Sequence, residues 1–272
     1  MQANYITLSK NLFNKTINIL FEKNFYDCHI KILKELFRNY SYRGIAKSYD
    51  EEQCFYVCDN KRCLAPKGVD LHIYNTQSTQ WLFEMITDIE SYIISKLGIT
   101  VIHGASIRND SQMVFIIGER NSGKTTLTHF FTNKGWTLVD EDCICYYNDS
   151  VIGTGFPLRL RNIIYDNTKI LASCVDLDGD NRYLVSVPTS EHEEKVENVT
   201  IIFPQYKPDA DFSFSEVKKM NLFTMLIKNT RSSADESNCI KDITSIMKKT
   251  TQSYSFCYSD CSYVYDFLKG LR

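Results

Sequence analysis

The chain contains the stretch Met113-Val114-Phe115-Ile116-Ile117-Gly118-Glu119-Arg120-Asn121-Ser122-Gly123-Lys124-Thr125-Thr126, in which an apolar run enters the pattern G-x-x-x-x-G-K-T and a helical pattern follows. This is the Walker A pattern, in which a strand, a glycine-containing loop and a helix N-terminus direct backbone N–H groups at a phosphate chain. We therefore predict a strand–loop–helix unit that binds a nucleotide. A turn of Gly, Ser and Asn that merely joins strand to helix is the disfavoured alternative.

The predicted nucleotide-binding residues all lie in this pattern. Lys124 is expected to bridge the outer phosphates, Thr125 to place its hydroxyl on Mg²⁺, and Thr126 to begin the helix. The complete predicted set is Gly118, Asn121, Ser122, Gly123, Lys124, Thr125 and Thr126.

An acidic triplet, Asp140-Glu141-Asp142, follows soon after the loop. The predicted helix runs from Lys124 to Asn133 or Lys134 and stops at Gly135, and a short strand then leads to the acids. Such a crossover would set the acids beside the loop at the carboxyl edge of the sheet. Phosphoryl transfer to a hydroxyl needs a magnesium ligand and a carboxylate that accepts the proton, and two neighbouring acids can divide these tasks. A solvated acidic turn is the alternative.

The length of 272 residues suits one large domain or a main domain with a smaller companion, and the composition is that of a globular protein. The net charge of −2 gives no broad attraction to nucleic acid or to anionic membrane, so neither is an expected partner. No apolar stretch is long enough to span a bilayer, and the N-terminus lacks a secretion signal. A cytoplasmic protein is therefore expected.

Metal sites other than magnesium are disfavoured. Most of the ten cysteines are expected to be reduced core residues, and Cys54, Cys58 and Cys63 lack the C-x-x-C spacing and the histidine partner of a zinc site. The turn that begins at Asp176 resembles a calcium loop, but Val187 stands where the closing carboxylate belongs. His29 and His72 are interpreted as packing residues.

The apolar periodicity predicts an α/β protein that divides at residue 97 into an α+β domain (1–97) and a catalytic domain (98–272). The turn at Asn109-Asp110 predicts a hairpin, and hence a mixed sheet in the second domain. Further predicted strands are Asn4–Leu8, Cys54–Cys58, Leu71–Tyr74, Ile99–His103, Ala105–Ile107, Trp136–Val139, Cys143–Tyr147, Tyr183–Val187, Val199–Phe203 and Tyr254–Tyr258. Predicted helices are Ile30–Phe37, Trp81–Leu97, Glu216–Lys228, Asp235–Lys249 and Tyr263–Leu271.

Four segments resemble the HPr kinase-like family, chiefly within residues 99–165. They are Ile102-His103-Gly104-Ala105, the loop 118–126, the segment Gly135-Trp136-Thr137-Leu138-Val139-Asp140-Glu141-Asp142, and Gly-x-Pro-Leu-x-Leu at 155–160. The resemblance implies a catalytic domain whose fold is related to that of phosphoenolpyruvate carboxykinase. It implies that Glu141 and Asp142 serve as general base and magnesium ligand, as two aspartates do in the family, and that His103 lies beside them. Glu141 departs from the family aspartate, so which acid is the base is open.

The chain has no counterpart of the long glycine-rich signature of bifunctional HPr kinase/phosphorylases. It is more similar to the short HPr kinase-like proteins of peptide-biosynthesis systems, including lasso-peptide precursor serine kinases. This resemblance implies an ATP- and Mg²⁺-dependent kinase whose acceptor is a serine of a peptide or small protein. Arg159, Arg161 and Arg182 are candidates to offset the charge of the transferring group, Arg161 and Arg182 foremost.

Other interpretations stay open at this stage. One is a nucleotide-binding regulatory module without transfer, and another is a kinase of a small molecule. A third is a conventional P-loop ATPase or GTPase, but the sequence lacks the N-K-x-D motif that reads guanine, and the early acids fit this class poorly. Association of the chain with itself is also left open.

Overall fold

The structure is a computed structural model, and it describes residues 5–13, 15–46, 54–57, 63–64, 79–163, 165–175, 179–231 and 236–271. In chain order its elements are β1 (Tyr5–Leu12), β2 (Lys15–Glu22), α1 (Lys23–Leu36), β3 (Ser41–Ala46), β4 (Cys54–Val57), β5 (Cys63–Leu64), α2 (Gln80–Leu97), β6 (Thr100–Ile102), β7 (Gly104–Arg108), β8 (Met113–Ile117), α3 (Lys124–Asn133), β9 (Thr137–Asp140), β10 (Ile144–Tyr147), β11 (Ser150–Ile152), β12 (Leu158–Leu160), β13 (Ile170–Val175), β14 (Asn181–Val185), β15 (Glu194–Lys195), β16 (Val199–Tyr206), β17 (Ser213–Glu216), α4 (Lys219–Lys228), α5 (Glu236–Lys249), β18 (Thr250–Tyr258) and α6 (Cys261–Gly270). The protein is thus a mixed α/β structure with several sheets.

The chain forms two compact units. Unit 1 is drawn from residues 1–97 and 154–186, and unit 2 from residues 98–153 and 187–272. The sequence-based boundary kept 154–186 in the second domain, whereas the strands of this segment pair with one another in unit 1. The assignment of separate roles to the two predicted domains stays a prediction.

Unit 1 contains two sheets, with strand orders β3-β1-β2-β4-β5 and β12-β14-β13. Helix α1 buries Phe25, Leu33 and Leu36. Helix α2 buries a longer stripe that repeats every three or four residues, as its sequence predicts: Trp81, Leu82, Met85, Ile86, Ile89, Tyr92, Ile93 and Leu97.

Unit 2 is built around a six-stranded sheet with the order β17-β18-β16-β8-β7-β9. Strands β8, β16 and β18 are parallel, whereas β7 is antiparallel to both β8 and β9. The predicted mixed sheet is therefore confirmed. The β7–β8 hairpin turns at Asn109, whose side-chain oxygen accepts the N–H groups of Ser111 and Gln112 at 3.0 and 2.9 Å.

One edge of this sheet collects the ends of five strands. Because β7 runs opposite to its two neighbours, its amino end lies level with the carboxyl ends of β8 and β9; Gly104 pairs with Ile117 and Ser106 with Asp140. The parallel strands β16 and β18 also end there. The residues that follow β8 and β9 therefore meet at this edge.

A second sheet of unit 2 has the order β15-β11-β10-β6. Its β10–β11 hairpin turns through Asn148 and Asp149, whose φ angles are 46° and 65°. Positive φ at both central residues is the geometry of a type I′ hairpin turn. Apolar side chains of this unit form a buried cluster that includes Phe115, Ile117, Tyr146, Ile201, Leu226 and Ile246.

Two predicted elements differ in the structure. Strand β16 continues through Pro204 to Tyr206, because its pairing with β8 ends at Ile202 and the missing N–H of proline does not interrupt that ladder. Residues Ser213–Glu216 form strand β17 against β18, so helix α4 begins at Lys219 instead of at the predicted Glu216. Pairing along the sheet outweighs the local helical pattern there.

Several predictions fall on residues outside the described ranges: the strand Leu71–Tyr74 with His72, Cys58 of the cysteine group, and residues 176–178 of the turn that resembles a calcium loop. Of the helices that the structure does describe, none combines the length and apolar character that a membrane span requires.

Candidate functional site

The site is built around residues 118–123, here called the 118–123 loop, which connect β8 to α3. The helix begins at Lys124, directly after Gly123, which has a left-handed φ of 94° and provides no side-chain cap. Thr125 and Thr126 follow in the first turn, where helix N–H groups have no partner within the helix. These N–H groups and the positive end of the helix dipole can bind an anion. The predicted strand–loop–helix arrangement is present.

Glycine at 123 is required by its neighbours as well as by its φ angle. A Cβ there would lie 2.6 Å from the Tyr258 hydroxyl oxygen and 2.9 Å from Tyr206 Cβ. At Gly118, a Cβ would lie 2.9 Å from Ser122 Oγ. The loop therefore folds back on itself and packs closely on two tyrosines.

Two polar side chains of the loop, Ser122 and Asn121, differ in burial. Ser122 Oγ is buried and has no hydrogen-bond partner within the described chain. Asn121 is exposed and has a left-handed φ of 68°. A phosphate oxygen at the loop would give the Ser122 hydroxyl an acceptor, since a buried hydroxyl without a partner costs free energy.

Lys124 lies across the opening of the loop, and its side chain is buried. Its ammonium donates hydrogen bonds of 2.8 Å each to the carbonyl oxygens of Gly118 and Glu119. Burial lowers the pKa of Lys124, the positive charge of Arg231 lowers it further, and the carboxylates of Asp142 and Glu141 oppose the change. The two predicted catalytic acids therefore act electrostatically on the loop lysine.

The acidic triplet begins at Asp140, the last residue of β9, and its side chains differ in burial. Asp140 and Glu141 are buried, with exposed fractions of 5% and 6%, whereas the Asp142 side chain is 41% exposed. The Asp140 carboxylate accepts the N–H of Glu141 at 2.7 Å. Asp142 has a left-handed φ of 66°. The prediction that these acids reach the loop edge agrees with the strand order.

The strand that carries the acids is held by a close backbone contact. A Cβ added to Gly153 would lie 1.7 Å from the carbonyl oxygen of Val139, in the middle of β9. Only glycine fits at this point of the chain. The position of the acids thus depends on a residue that does not itself belong to the site.

His103 lies between β6 and β7, beside Asp142. Its Nδ1 is 3.3 Å from the Asp142 carbonyl oxygen and 3.9 Å from the Asp142 carboxylate, and its backbone N–H donates to Asn229 O at 2.7 Å. Burial lowers the pKa of His103, Lys124 and Arg231 lower it further, and Asp142 opposes them. A lowered pKa favours the neutral imidazole at neutral pH.

Arg231 is the site residue that the sequence did not indicate. It follows α4 and the residues Asn229 and Thr230, and its backbone N–H donates to Val101 O at 2.7 Å. The exposed guanidinium lowers the pKa of both Lys124 and His103, so its charge acts on the same site. No local motif marks this position, because a long-range contact with β6 brings it there.

The predicted arginines belong to unit 1. Arg159 forms an ion pair of 2.9 Å with Glu90, and both side chains are largely buried. Arg161 faces Asp180 at 3.8 Å, and Arg182 lies in β14 opposite Cys174. Their role toward a transferring phosphoryl group stays a prediction.

For a metal, the site offers the Thr125 hydroxyl and the carboxylates of Glu141 and Asp142. The described residues contain no group of three or more His, Cys, Asp and Glu side chains arranged to hold a metal ion. Hydroxyl and carboxylate oxygens suit Mg²⁺, which commonly takes one or two protein ligands and completes its shell with phosphates and waters. The assignment of magnesium to these three residues stays a prediction.

Comparison with known proteins adds little. No family model and no curated protein matches the chain. Among 31 matching solved chains is the Hpr(Ser) kinase/phosphatase from Coxiella burnetii, which is 11% identical; the match covers 63% of this chain and 90% of that chain, with a TM-score of 0.27. At so low a TM-score, nothing about the fold or activity of this chain follows from the likeness. The HPr kinase-like resemblance therefore stays a sequence-based prediction.

Proposed function

We propose that the protein is an ATP- and Mg²⁺-dependent kinase that transfers the terminal phosphoryl group to a serine hydroxyl of a peptide or small protein. One arrangement carries the proposal: at a single sheet edge, a buried lysine bonded to the loop carbonyls follows β8, two carboxylates come at the end of β9, and the imidazole of His103 precedes β7, 3.9 Å from the Asp142 carboxylate. Phosphoryl transfer depends on positioning and charge stabilisation, and these are the groups that supply both. A turn that only joins strand to helix has no need of them.

The loop is assigned to phosphate binding. The N–H groups of the first turn of α3 and the Ser122 hydroxyl bind phosphate oxygens, and Lys124 exchanges its carbonyl partners for the outer phosphates. Thr125 and Glu141 would hold Mg²⁺, which when bound neutralises charge on the phosphate oxygens.

The acids are assigned to proton transfer and metal binding. The exposure of Asp142 favours it as the acid that meets the incoming hydroxyl. The serine oxygen forms a bond to the terminal phosphorus, the bond from that phosphorus to the bridging oxygen breaks, and ADP leaves with the electron pair. The hydroxyl proton passes to the Asp142 carboxylate. His103 is a positioning residue for Asp142.

Arg231 is the cation that we assign to the transferring phosphoryl group, because its backbone N–H bonds to Val101 O at 2.7 Å, two residues before His103. Arg161 and Arg182, the arginines favoured by the sequence, are the alternative. The serine-containing acceptor rests on the resemblance to peptide-modifying HPr kinase-like proteins.

The test compares Asp142→Asn with Glu141→Gln. We expect Asp142→Asn to lower transfer by about a hundred- to ten-thousandfold, the usual cost of losing a general base, while ATP affinity is retained. Glu141→Gln should lose magnesium-dependent ATP binding as well. Transfer is measured as incorporation of labelled phosphate from ATP into a library of serine-containing peptides, and affinity by calorimetry with and without Mg²⁺.

Asp110→Asn is the matched control, because Asp110 is exposed in the β7–β8 turn. Transfer at the wild-type rate in both site variants would contradict the kinase assignment. The reverse pattern would exchange the roles of the two acids. ATP binding and ATP turnover without labelling of any peptide would contradict the peptide acceptor alone.

A further inference from the structure

On the side of the 118–123 loop away from the acids, two tyrosines enclose Gly123. The Tyr206 backbone N–H donates to the carbonyl oxygen of Ser122 at 3.0 Å, and the Tyr258 hydroxyl donates to the carbonyl oxygen of Gly123 at 3.4 Å. Tyr206 ends β16, and Tyr258 ends β18. The loop is therefore bonded to both strands on this side.

The two tyrosines differ in exposure. Tyr258 is fully buried, whereas 43% of Tyr206 is exposed. Their rings meet nearly edge to face, with centroids 5.9 Å apart and an interplanar angle of 70°. Tyr258 thus packs against the loop as a buried side chain. Tyr206 exposes an aromatic surface to solvent, and its backbone N–H is bonded to the loop.

The strand order gives the direction in which a nucleotide must lie. The acids follow β9, which lies on one side of β8, and Tyr206 ends β16, which lies on the other side. For transfer, the terminal phosphate must face the acids. The nucleoside then extends away from β9, toward the ends of β16 and β18.

We propose that the exposed ring of Tyr206 stacks against the base of the bound nucleotide. This inference rests on the proposed function and adds a base-binding residue to it. Aromatic side chains stack on the flat face of any base, and a ring fixed by backbone and edge contacts loses little freedom when it does so. Purines offer the larger face, so ATP is a suitable ligand.

The test uses two ligands that share the phosphate chain and differ in the base, Mg²⁺–ATP and Mg²⁺–tripolyphosphate. We expect Tyr206→Ala to weaken ATP binding by roughly ten- to a hundredfold, the range measured for base stacking, and to leave tripolyphosphate affinity unchanged. Tyr206→Phe keeps the ring and should keep ATP affinity. Calorimetry measures both ligands, and thermal unfolding of each variant confirms that it is folded.

Tyr263→Ala is the matched control, because Tyr263 is a tyrosine of unit 2 with a similar exposure of 50% and lies in α6. It should bind both ligands as the wild type does. A direct signal comes from Tyr206→Trp, whose added fluorescence should be quenched by ATP and not by tripolyphosphate.

Two results would overturn the inference while the proposed function stands. If Tyr206→Ala binds ATP as tightly as the wild type, the ring does not contact the base. If it loses ATP and tripolyphosphate equally, Tyr206 only supports the loop. If the wild type binds neither ligand, the proposed function fails, and the inference fails with it.

Discussion

Unit 2 contains two polar clusters that can be compared, because each includes an aspartate with a positive φ angle and a lysine. The loop cluster consists of His103, Lys124, Asp142 and Arg231, and the hairpin cluster consists of Tyr146, Asp149, Ser245 and Lys249. The two aspartates have nearly the same φ, 66° for Asp142 and 65° for Asp149. Asp142 lies two residues after the end of β9, and Asp149 lies in the turn between β10 and β11.

The clusters differ in how their charges are held. The Asp149 carboxylate accepts hydrogen bonds from Tyr146 at 2.9 Å and Ser245 at 2.5 Å and lies 3.3 Å from Lys249, and these bonds hold its pKa below the ordinary value. In the loop cluster, Lys124 donates to two neutral carbonyl oxygens, and the Asp142 carboxylate is 3.9 Å from His103. Short hydrogen bonds to an ionised carboxylate contribute to folding, whereas an ammonium that donates to neutral carbonyl oxygens keeps its charge available for an anion.

The largest expected effect distinguishes the two lysines. Lys124→Ala should lower phosphoryl transfer by about a hundred- to a thousandfold, the cost of losing one preorganised charged donor, without lowering the unfolding temperature. Lys249→Ala should leave transfer unchanged and cost less than about 1 kcal/mol of stability, because Asp149 and Lys249 are partly exposed. Labelled-phosphate transfer and thermal unfolding measure the two effects. Unchanged transfer in Lys124→Ala would remove the distinction.

An intermediate effect is expected in the hairpin cluster. Tyr146→Phe removes the hydroxyl that bonds to Asp149 and Ser245 but keeps the buried ring. Loss of a typical hydrogen bond costs about 0.5–1.5 kcal/mol, so the free energy of unfolding should fall by that amount while transfer is retained. Urea unfolding gives the stability. If transfer fell in proportion while the variant remained folded, the hairpin cluster would belong to the site after all.

The smallest effect concerns pH. The hydrogen bonds from Ser245 and Tyr146 lower the pKa of Asp149 in the folded state. Its contribution to stability is then fully present above the unfolded value of about 3.9 and is lost as pH falls through the folded value. The difference in stability between the wild type and Asp149→Asn, measured by urea unfolding, should therefore shrink between pH 6 and pH 3. Because the carboxylate is half-exposed, we expect a change below about 1 kcal/mol. A difference that grows toward pH 3 would contradict this sign.

The sequence predicted the parts of the site that local patterns specify. The apolar run before Gly118 and the G-K-T pattern after it correspond to a strand, a loop and a helix start, and the acids lie on the next strand in the same crossover. The mixed α/β class also followed from local hairpin and strand signals. These predictions succeeded because neighbours in the sequence determine such elements.

The remainder depends on contacts between distant residues. Arg231 reaches the site through a bond to Val101, and Tyr206 reaches the loop through a bond to Ser122. Strand β17 forms because β18 pairs with it, so its last residue, Glu216, is not the helix start that the sequence predicted. Periodicity and motif spacing carry no information about such pairings, so these residues could be identified only from the structure.

The contact between Gly153 and Val139 limits which mutations the protein tolerates. With only 1.7 Å between an added Cβ and the Val139 carbonyl oxygen, alanine, the smallest replacement, already displaces strand β9. The acids at the end of that strand would move with it, and a displacement of about 1 Å can cost a hundredfold in rate. A position with no chemistry of its own is therefore open to damage by every single amino-acid exchange, and a genetic screen for lost activity would detect it alongside Lys124.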